Sequence, residues 1–143
     1  MLFFKALMIT RSTYVLPVIF FKPDNSLAGH SMEIASQVDI MPSVLGYLHY
    51  DKPYFAFGRD IFHDNQQPIA FNYNDAFNLY VGEYLLTFNG EKTIGLYNFA
   101  QDKMLTHDLK REKPEIVEQM EPKIKAIIQQ YNNRLIENRL TVN

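Results

Sequence analysis

The sequence predicts an α/β fold in which an apolar strand and a helix precede a small antiparallel sheet, and a C-terminal helix packs on that sheet. Three patterns predict it. A continuous apolar run lies at residues 15–21, apolar and polar residues alternate from residue 69 onward, and apolar residues recur every three or four positions near the C-terminus. Buried strands, half-buried strands and amphipathic helices have these patterns.

The composition indicates one globular domain over residues 1–143. The chain is 47% hydrophobic, which is enough apolar surface to offset the entropy of ordering. It contains no cysteine, which excludes disulfides and zinc–thiolate sites within it. The formal net charge is -2 and the basic residues are scattered, so we expect no nucleic-acid partner.

The first nine residues, MLFFKALMI, are apolar but do not predict a signal peptide or an anchor. Lys5 interrupts the run, and the run is much shorter than the roughly 20 residues that span a bilayer. We therefore expect no membrane segment in this chain and a cytoplasmic location by default. Residues 1–13 are interpreted as an atypical N-terminal segment that is buried or faces a partner.

Residues 14–65 are predicted to form a strand and a helix. The strand covers residues 15–21 (VLPVIFF), and such runs without polar positions are typical of strands buried on both faces, chiefly in parallel sheets. Pro17 lacks an N–H, so it belongs near the start of the strand or at a gap in its ladder. A loop around Gly29 is expected over residues 27–31.

The predicted helix covers residues 39–48. Asp39 is expected to cap it, an interaction that contributes about 0.5–2 kcal/mol. Pro42 falls in the first turn, where no N–H is required. One apolar stripe is expected to face the core, and it consists of Met41, Val44, Leu45 and Leu48.

Residues 66–112 are predicted to form an antiparallel meander of three or four strands. The predicted strands are residues 69–73, 77–81, 84–88 and 93–99. Asn74 and Asp75 supply a turn between the first two strands. Asn89 and Gly90 predict a hairpin between the last two, because both residue types tolerate the positive φ of a tight turn.

Residues 113–143 are predicted to form the C-terminal helix. Pro114 suits its first turn, and Arg134 and Arg139 suit its C-terminal end, where the helix dipole is negative. Pro122 is expected to kink or split the helix. The residues that form its apolar face are Ile116, Met120, Ile124, Ile127, Tyr131 and Leu135.

Histidine and carboxylate residues occur in this chain without a recognised metal-binding or catalytic spacing. The candidates are His30, His49, His63 and His107, with Asp24, Asp51, Asp64 and Asp108 near them in sequence. No HExxH motif, nucleophile elbow or glycine-rich phosphate loop is present. We therefore predict no catalytic, cofactor-binding or metal-binding residue in this chain.

Polar and aromatic residues of the meander offer a second candidate site, a face that could bind sugars. Its members are Asn72, Tyr73, Asn74, Asn78 and Tyr80. Ordinary sheet packing is the favoured interpretation, since tyrosine is common in strands. Two charged residues outside the meander are expected to be structural: Asp39 as a cap, and Arg59, in a turn through Gly58, as the partner of a carboxylate.

Four stretches of the chain carry a family resemblance. They are YVLPVIFFKP at residues 14–23, SQVDIMPSVL at 36–45, FGRDIF at 57–62 and EYLLTFNGEKTIGLYNFAQD at 83–102. In this order they resemble the C-terminal part of sulfatases and lipoteichoic-acid-synthase-like phosphoglycerol transferases of the alkaline phosphatase superfamily. The resemblance runs from about Tyr14 to the C-terminus, with Ser43 where threonine is commoner.

The resemblance implies that the parent enzyme acts outside the cytoplasm on phosphate or sulfate esters and is often membrane-anchored. It also implies a metal-bound Thr, Ser or formylglycine nucleophile and a divalent metal such as Mn or Ca. In that family the nucleophile and the metal ligands precede the part matched here. Residues 1–10, MLFFKALMIT, stand where the family's Asp-His metal pair would be expected. The chain alone is therefore predicted to be inactive and to hold no cofactor.

Three functional hypotheses remain open. The leading one is a catalytically incomplete C-terminal fragment of a sulfatase-like ester hydrolase or phosphoglycerol transferase. The alternative is a stand-alone interaction or glycan-binding module. The third is a small enzyme built on His30 and Asp24.

A homo-oligomer, or a complex with the missing N-terminal catalytic half, is expected from the apolar strand. Its large side chains are Leu16, Ile19, Phe20 and Phe21. Leaving such side chains exposed forgoes about 1.5–3 kcal/mol each. Either residues 2–9 fold back over the strand or a second copy pairs with its edge, and we favour the second copy.

Overall fold

A computed structural model of the chain describes residues 2–6, 16–24, 26, 29–64 and 67–142. Within these residues the chain forms seven strands and two helices, with short 3-10 turns at Gln37–Asp39 and Leu109–Arg111. The first three strands are β1 (Leu2–Ala6), β2 (Leu16–Phe20) and β3 (Gly29–Ala35), and helix α1 (Ile40–Tyr47) follows them. The remaining elements are β4 (Ile69–Asn74), β5 (Ala76–Val81), β6 (Tyr84–Phe88), β7 (Thr93–Asn98) and helix α2 (Pro114–Ile136).

Strands β1, β2 and β3 form a mixed sheet in the order β2-β1-β3. β1 pairs antiparallel with β2, so that Phe3 lies opposite Ile19, and it pairs in parallel with β3. The predicted strand at residues 15–21 is therefore found, but as an edge strand with an antiparallel neighbour. Pro17 fits this position, because an edge strand can lack one N–H in its ladder.

The expectation that this strand is buried on both faces is wrong. Val18 and Phe20 pack against Ala35 and Ile61 on one face of the sheet. Ile19 and Phe21, which alternate with them, are 50% and 71% exposed. The cause is that α1 and the segment after it cover one face only, as the contact of the Phe20 and Phe62 rings at 5.1 Å shows.

The N-terminal segment folds back and pairs with β2. Of the two arrangements expected to cover this strand, the fold-back was the less favoured, and pairing with a second copy was favoured. Residues 2–6 are the central strand of the sheet, so a second copy cannot take that side of β2. The expected loop at residues 27–31 is also partly wrong, because Gly29 already begins β3. Residues 27 and 28 lie outside the described residues, as do residues 7–15.

The predicted meander is confirmed as four antiparallel strands in the order β4-β5-β6-β7. The turn at Asp75 uses a positive φ of 59°, as the sequence indicated for Asn74 and Asp75. The hairpin at Asn89 and Gly90 is longer than a two-residue turn, since β6 ends at Phe88 and β7 begins at Thr93. The Asn89 side chain closes it by accepting hydrogen bonds from the N–H groups of Glu91 and Lys92.

Helix α2 packs on one face of the meander, as predicted. Met120 and Ile124 are buried against Leu79, Leu86 and other core residues of the strands, and Ile116 and Ile127 pack beside them. The predicted face ends early, because Tyr131 and Leu135 are about half exposed. The helix is not split at Pro122.

The other face of the meander contacts β3. Tyr80 and Leu85 are buried there, and Ile34 of β3 packs against them with Tyr97, Phe99 and Leu105. The α/β fold class is confirmed: the chain combines a four-stranded antiparallel sheet with two helices, one of which is C-terminal and packs on that sheet. Among the described residues, neither helix combines the length and apolar character needed to cross a membrane.

Helix α1 is found where predicted, but its orientation differs. Pro42 and Ser43 are its buried residues. Of the expected core stripe, Met41, Val44 and Leu48 are exposed and only Leu45 is half-buried. The small and polar side of the helix thus faces the protein, because it contacts residues 60 and 61.

Candidate functional site

Asp39 is the most deeply buried charged residue in the described part of the chain, with 2% of its surface exposed. Its Oδ2 accepts a hydrogen bond from the Ser36 N–H at 2.7 Å, and its Oδ1 accepts one from the Arg59 N–H at 2.8 Å. It occupies the position before α1 but makes no side-chain cap to that helix. The predicted cap of α1 is therefore wrong. Asp39 instead caps the preceding 3-10 turn through the Ser36 N–H, and it binds the N–H of residue 59 to that turn.

The environment of Asp39 changes its acidity in opposing directions. Burial raises the pKa of Asp39 above its usual value, because desolvation disfavours the carboxylate. The Ser36 and Arg59 N–H groups, together with the Arg59 charge, act to lower the pKa and offset burial only in part. Both carboxylate oxygens are occupied, so Asp39 is built as a structural acceptor.

Ser43 makes a second link between α1 and residues 59–61. Its hydroxyl donates to the Asp39 carbonyl at 2.6 Å and accepts from the Ile61 N–H at 3.1 Å, and the residue is fully buried. No local pattern marks Ser43 for this role, since five serines in similar polar settings occur before residue 44. Only the position on the Pro42 side of α1 distinguishes Ser43.

The hydrogen bonds of Asp39 and Ser43 join the start of α1 to residues 59–61, and we call this cluster the junction. Arg59 links the junction to β3 and to residue 64. Its Nη1 donates to the Asp64 carbonyl at 3.1 Å, and its Nη2 donates to the Ile34 carbonyl at 3.4 Å. Nη2 also lies 3.5 Å from a carboxylate oxygen of Glu33, which confirms the predicted pairing with a carboxylate. Its Nε is buried without a hydrogen-bond partner among the described residues.

Two glycines allow the backbone to approach closely at this junction. A Cβ atom on Gly58 would overlap the carbonyl group of Val38 and lie 2.6 Å from the Asp39 nitrogen. A Cβ atom on Gly46 would overlap the carboxylate of Asp60. Gly46 therefore allows its side of α1 to lie against residue 60, and Gly58 allows residue 58 to lie against the 3-10 turn.

A cleft of about 370 Å³ opens beside the junction, between the 3-10 turn, β4 and α2. Its lining residues are Val38, Asp39, Phe57, Gly58, Arg59, Asp64, Gln67, Ile69, Phe71, Ile127 and Gln130. The charged groups at its base donate to or accept from the protein itself, as described for Asp39 and Arg59. Gln67 accepts a hydrogen bond from Lys123 of α2 at 3.3 Å. The cleft is thus a partly polar gap between the 3-10 turn and the meander with α2. Its described residues provide no nucleophile paired with a base.

Two of the histidine side chains each contact a single carboxylate. His63 Nδ1 contacts Asp60 at 2.7 Å, and His107 Nε2 contacts Glu112 at 3.0 Å. His49 is exposed in the turn after α1, and the side chain of His30 lies outside the described residues. In the part of the chain that the structure describes, no three His, Cys, Asp or Glu residues are grouped so that they could hold a metal ion.

The proposed sugar-binding residues are divided between the two faces of the meander. Asn72 and Asn78 are opposite each other on β4 and β5, and their amides are joined at 3.1 Å. Thr87 of β6 continues this row by donating to Asn78 at 3.1 Å. Tyr80 is buried, and Tyr73 lies on the opposite face beside Phe77, while Asn74 is exposed at the end of β4.

Comparison of the chain with protein-family models and with curated proteins finds no match.

Proposed function

We propose that the chain is a C-terminal, non-catalytic scaffold of a sulfatase-like enzyme, either a phosphate or sulfate ester hydrolase or a phosphoglycerol transferase. The observation that supports this proposal is the relation between two of the resembling motifs. Residues 36–45 and 57–62 meet at one hydrogen-bonded junction, in which Asp39 and Ser43 accept from the N–H groups of Arg59 and Ile61. Motifs that recur together in a family are expected to depend on each other physically.

The work of such a scaffold is to hold a helix and a sheet in fixed relation for catalytic residues placed elsewhere. Asp39, Ser43 and Arg59 are all engaged in positioning backbone, and none is available as a nucleophile or a general base. The divalent metal implied for the parent family has no group of candidate ligands among the described residues. No step through a metal is therefore assigned to this chain.

The partner in this proposal is either a polypeptide that carries the N-terminal catalytic half or a second copy of the chain. Exposed apolar residues on β2 and α1 support a need for such a partner. The resembling family acts outside the cytoplasm. If the chain forms a complex with a catalytic half of that family, the proposal places the complex there too.

Enzyme assays test the proposal directly. The purified chain is expected to hydrolyse neither bis(p-nitrophenyl) phosphate nor p-nitrophenyl sulfate with manganese, magnesium, calcium or zinc present. Catalysis of such reactions needs a positioned nucleophile and a metal that stabilises developing charge. Metal-dependent turnover that co-purifies with the chain and disappears in Asp39→Asn or His30→Ala would contradict the scaffold proposal.

Genomic context provides an independent test. A reading frame next to this one is expected to encode a Thr or Ser nucleophile together with an Asp-His metal pair. Co-expression of that product with the chain should give a soluble complex that hydrolyses the two esters. A complex that forms without any gain in activity would contradict the assignment to this enzyme class.

A glycan-binding module is the second candidate, and the row of Asn72, Asn78 and Thr87 favours it. These partly exposed side chains cross three strands. Gly95 continues the row on the fourth strand, opposite Thr87, and the Tyr97 ring lies over it. Micromolar binding on a glycan array that Asn78→Ala abolishes would support it, with Asn132→Ala on α2 as the control. Absence of binding at millimolar glycan would contradict it.

A further inference from the structure

Helix α1 turns a continuous apolar surface towards solvent. Ile40, Val44 and Leu48 follow one another at one-turn spacing, and Met41 lies beside them. Their exposed fractions range from 38% to 65%. We call these four residues the α1 patch. Pro42, Ser43 and Gly46 occupy the opposite, inward side of the helix, so rotating α1 to bury the patch would break the junction described above.

The α1 patch itself contains no charge. Lys22 lies 5.5 Å from the centre of a tyrosine ring of α1, and its Nζ is 3.0 Å from the Asp24 carboxylate, which compensates its charge. The nearest charged residue before it, Asp39, is buried with both oxygens occupied, and Asp51 and Lys52 beyond it cancel. A lipid surface usually attracts apolar helices that carry basic residues on their polar side, which is not the case here. An uncharged apolar protein surface is the complementary partner.

Two exposed tyrosines follow the α1 patch directly in the chain. The Tyr50 N–H donates to the Leu45 carbonyl at the end of α1, and the rings of Tyr50 and Tyr54 lie 6.2 Å apart. Both side chains are about 40–46% exposed. If each of the six residues offers roughly half of what a large side chain can bury, the surface supplies on the order of 500 Å². A standard interface buries about 800 Å² per partner, so this surface can form the centre of one.

The spacing within the α1 patch is self-complementary. When two copies of α1 pack antiparallel about a two-fold axis at Val44, Ile40 and Met41 of one copy face Leu48 of the other. Val44 then meets Val44 across the axis. Closed two-fold dimers use one surface twice in this way, and an uncharged surface can do so without repulsion between like charges.

We propose that the α1 patch is a self-association surface through which two copies of the chain form an antiparallel helix pair. The proposal goes beyond the scaffold function and does not depend on it. It also differs from pairing at the edge of β2, because it uses a different element and predicts a different set of sensitive residues.

Sedimentation velocity from low to high micromolar concentration tests the proposal. The unmodified chain should shift from one to two copies over this range. Leu48→Lys and Met41→Glu should each weaken association at least about tenfold, because each places an unpaired charge in an apolar contact. Ile136→Lys is the matched control: Ile136 is 81% exposed at the end of α2, where lysine also suits the helix terminus.

Mixing the two variants provides a sharper test of the antiparallel arrangement. In a mixed pair, Glu at position 41 faces Lys at position 48 of the other copy, so the mixture should associate although neither variant does alone. Far-UV circular dichroism should show that every variant is folded. A monomeric unmodified chain, or a dimer that Leu48→Lys leaves intact while Ile19→Asp dissociates it, would overturn the proposal. Binding of a monomeric chain to phosphatidylcholine vesicles, lost in Leu48→Lys, would overturn it in favour of a lipid surface.

Discussion

Side-chain oxygens of Asn and Asp close several turns of this chain. Asn89 accepts hydrogen bonds from the backbone N–H groups two and three residues on, and Asn98 does the same. Asp102 accepts from the N–H groups of Met104, Thr106 and His107, at 2.6 to 3.1 Å. Such bonds replace the backbone partners that loops lack, so these turns are fixed locally.

Asp102→Asn is expected to destabilise the protein in a pH-dependent way. The N–H of His107, with those of Thr106 and Met104, lowers the pKa of Asp102, because these donors favour the carboxylate. A lowered pKa contributes stability above the unfolded value of about 3.9, and this contribution is lost as the pH falls through the folded value. In urea titrations the difference between the two proteins should therefore be largest near neutral pH and should shrink below about pH 4.

Asp51→Asn, which alters an exposed aspartate outside this loop, serves as its control and should unfold like the unmodified protein at every pH. A difference between the Asp102→Asn variant and the unmodified protein that stays constant down to pH 2 would contradict the role given to Asp102.

Asp39→Ala is expected to cost more than an ordinary helix cap. It leaves the partly buried N–H groups of Ser36 and Arg59 without their acceptor, and an unsatisfied buried group costs up to about 1–3 kcal/mol. We expect a loss of about 2–6 kcal/mol in the free energy of unfolding, against about 0.5–2 kcal/mol for a cap alone. Asp39→Asn keeps one acceptor and should lose roughly half as much. Equal losses in both variants, measured by urea titration, would contradict this assignment.

At the scale of the elements, the two helices bury opposite kinds of residue. α2 buries the apolar side chains of Met120 and Ile124 on the meander, which is the usual arrangement. α1 instead buries Ser43 against the segment at residues 59–61 and leaves its apolar side exposed. The contact of α1 is therefore specified by hydrogen bonds and close backbone approach.

Gly58→Ala tests this close approach. The added Cβ would overlap the backbone of Val38, which cannot move as a flexible side chain could. We expect a loss of about 3 kcal/mol or more, at the upper end of the usual cost of overpacking. Gly82→Ala is the control, because Gly82 has a φ of 58° but open space around it, and should cost only about 1–2 kcal/mol. Thermal melts in which the two variants behave alike would contradict the steric argument.

At the scale of the whole molecule, the described residues form two parts that contact each other. One part is the three-stranded sheet with α1, and the other is the meander with α2. Ile34 of β3 packs against Tyr80 and Leu85 of the meander, and the ring of Phe57 lies 5.6 Å from that of Tyr131 on α2. Stability of each part depends on these joints, since small sheets are marginal alone.

Ile34→Ala is expected to uncouple the two parts. The unmodified chain should unfold in one transition, as a single domain does, with far-UV and near-UV circular dichroism coinciding. Ile34→Ala should lower stability by about 2–4 kcal/mol, because it removes an apolar contact between the two parts. The far-UV and near-UV transitions should then occur at different temperatures. Ile19→Ala, on the exposed face of β2, should change neither. Separate transitions already in the unmodified chain would contradict the prediction of one domain.

The sequence alone determined the elements whose signals are local. The alternation of residues 69–81, the turn residues Asp75 and Asn89, and the apolar spacing of α2 each act over a few positions, so they could be recognised without knowledge of the fold. For the same reason the starts of α1 and α2 were found close to their observed positions.

The tertiary structure alone decided which surfaces these elements bury. Asp39 binds the N–H of Arg59, which is 20 positions away in sequence. Strand β2 pairs with β1, and residues 7–15 separate the two strands in sequence. No periodicity within α1 could show that Ile61 binds its Ser43 side and that Val44 is left in solvent. Such choices depend on contacts between residues far apart in sequence, and a helix with one apolar side favours burial of that side until such contacts specify otherwise.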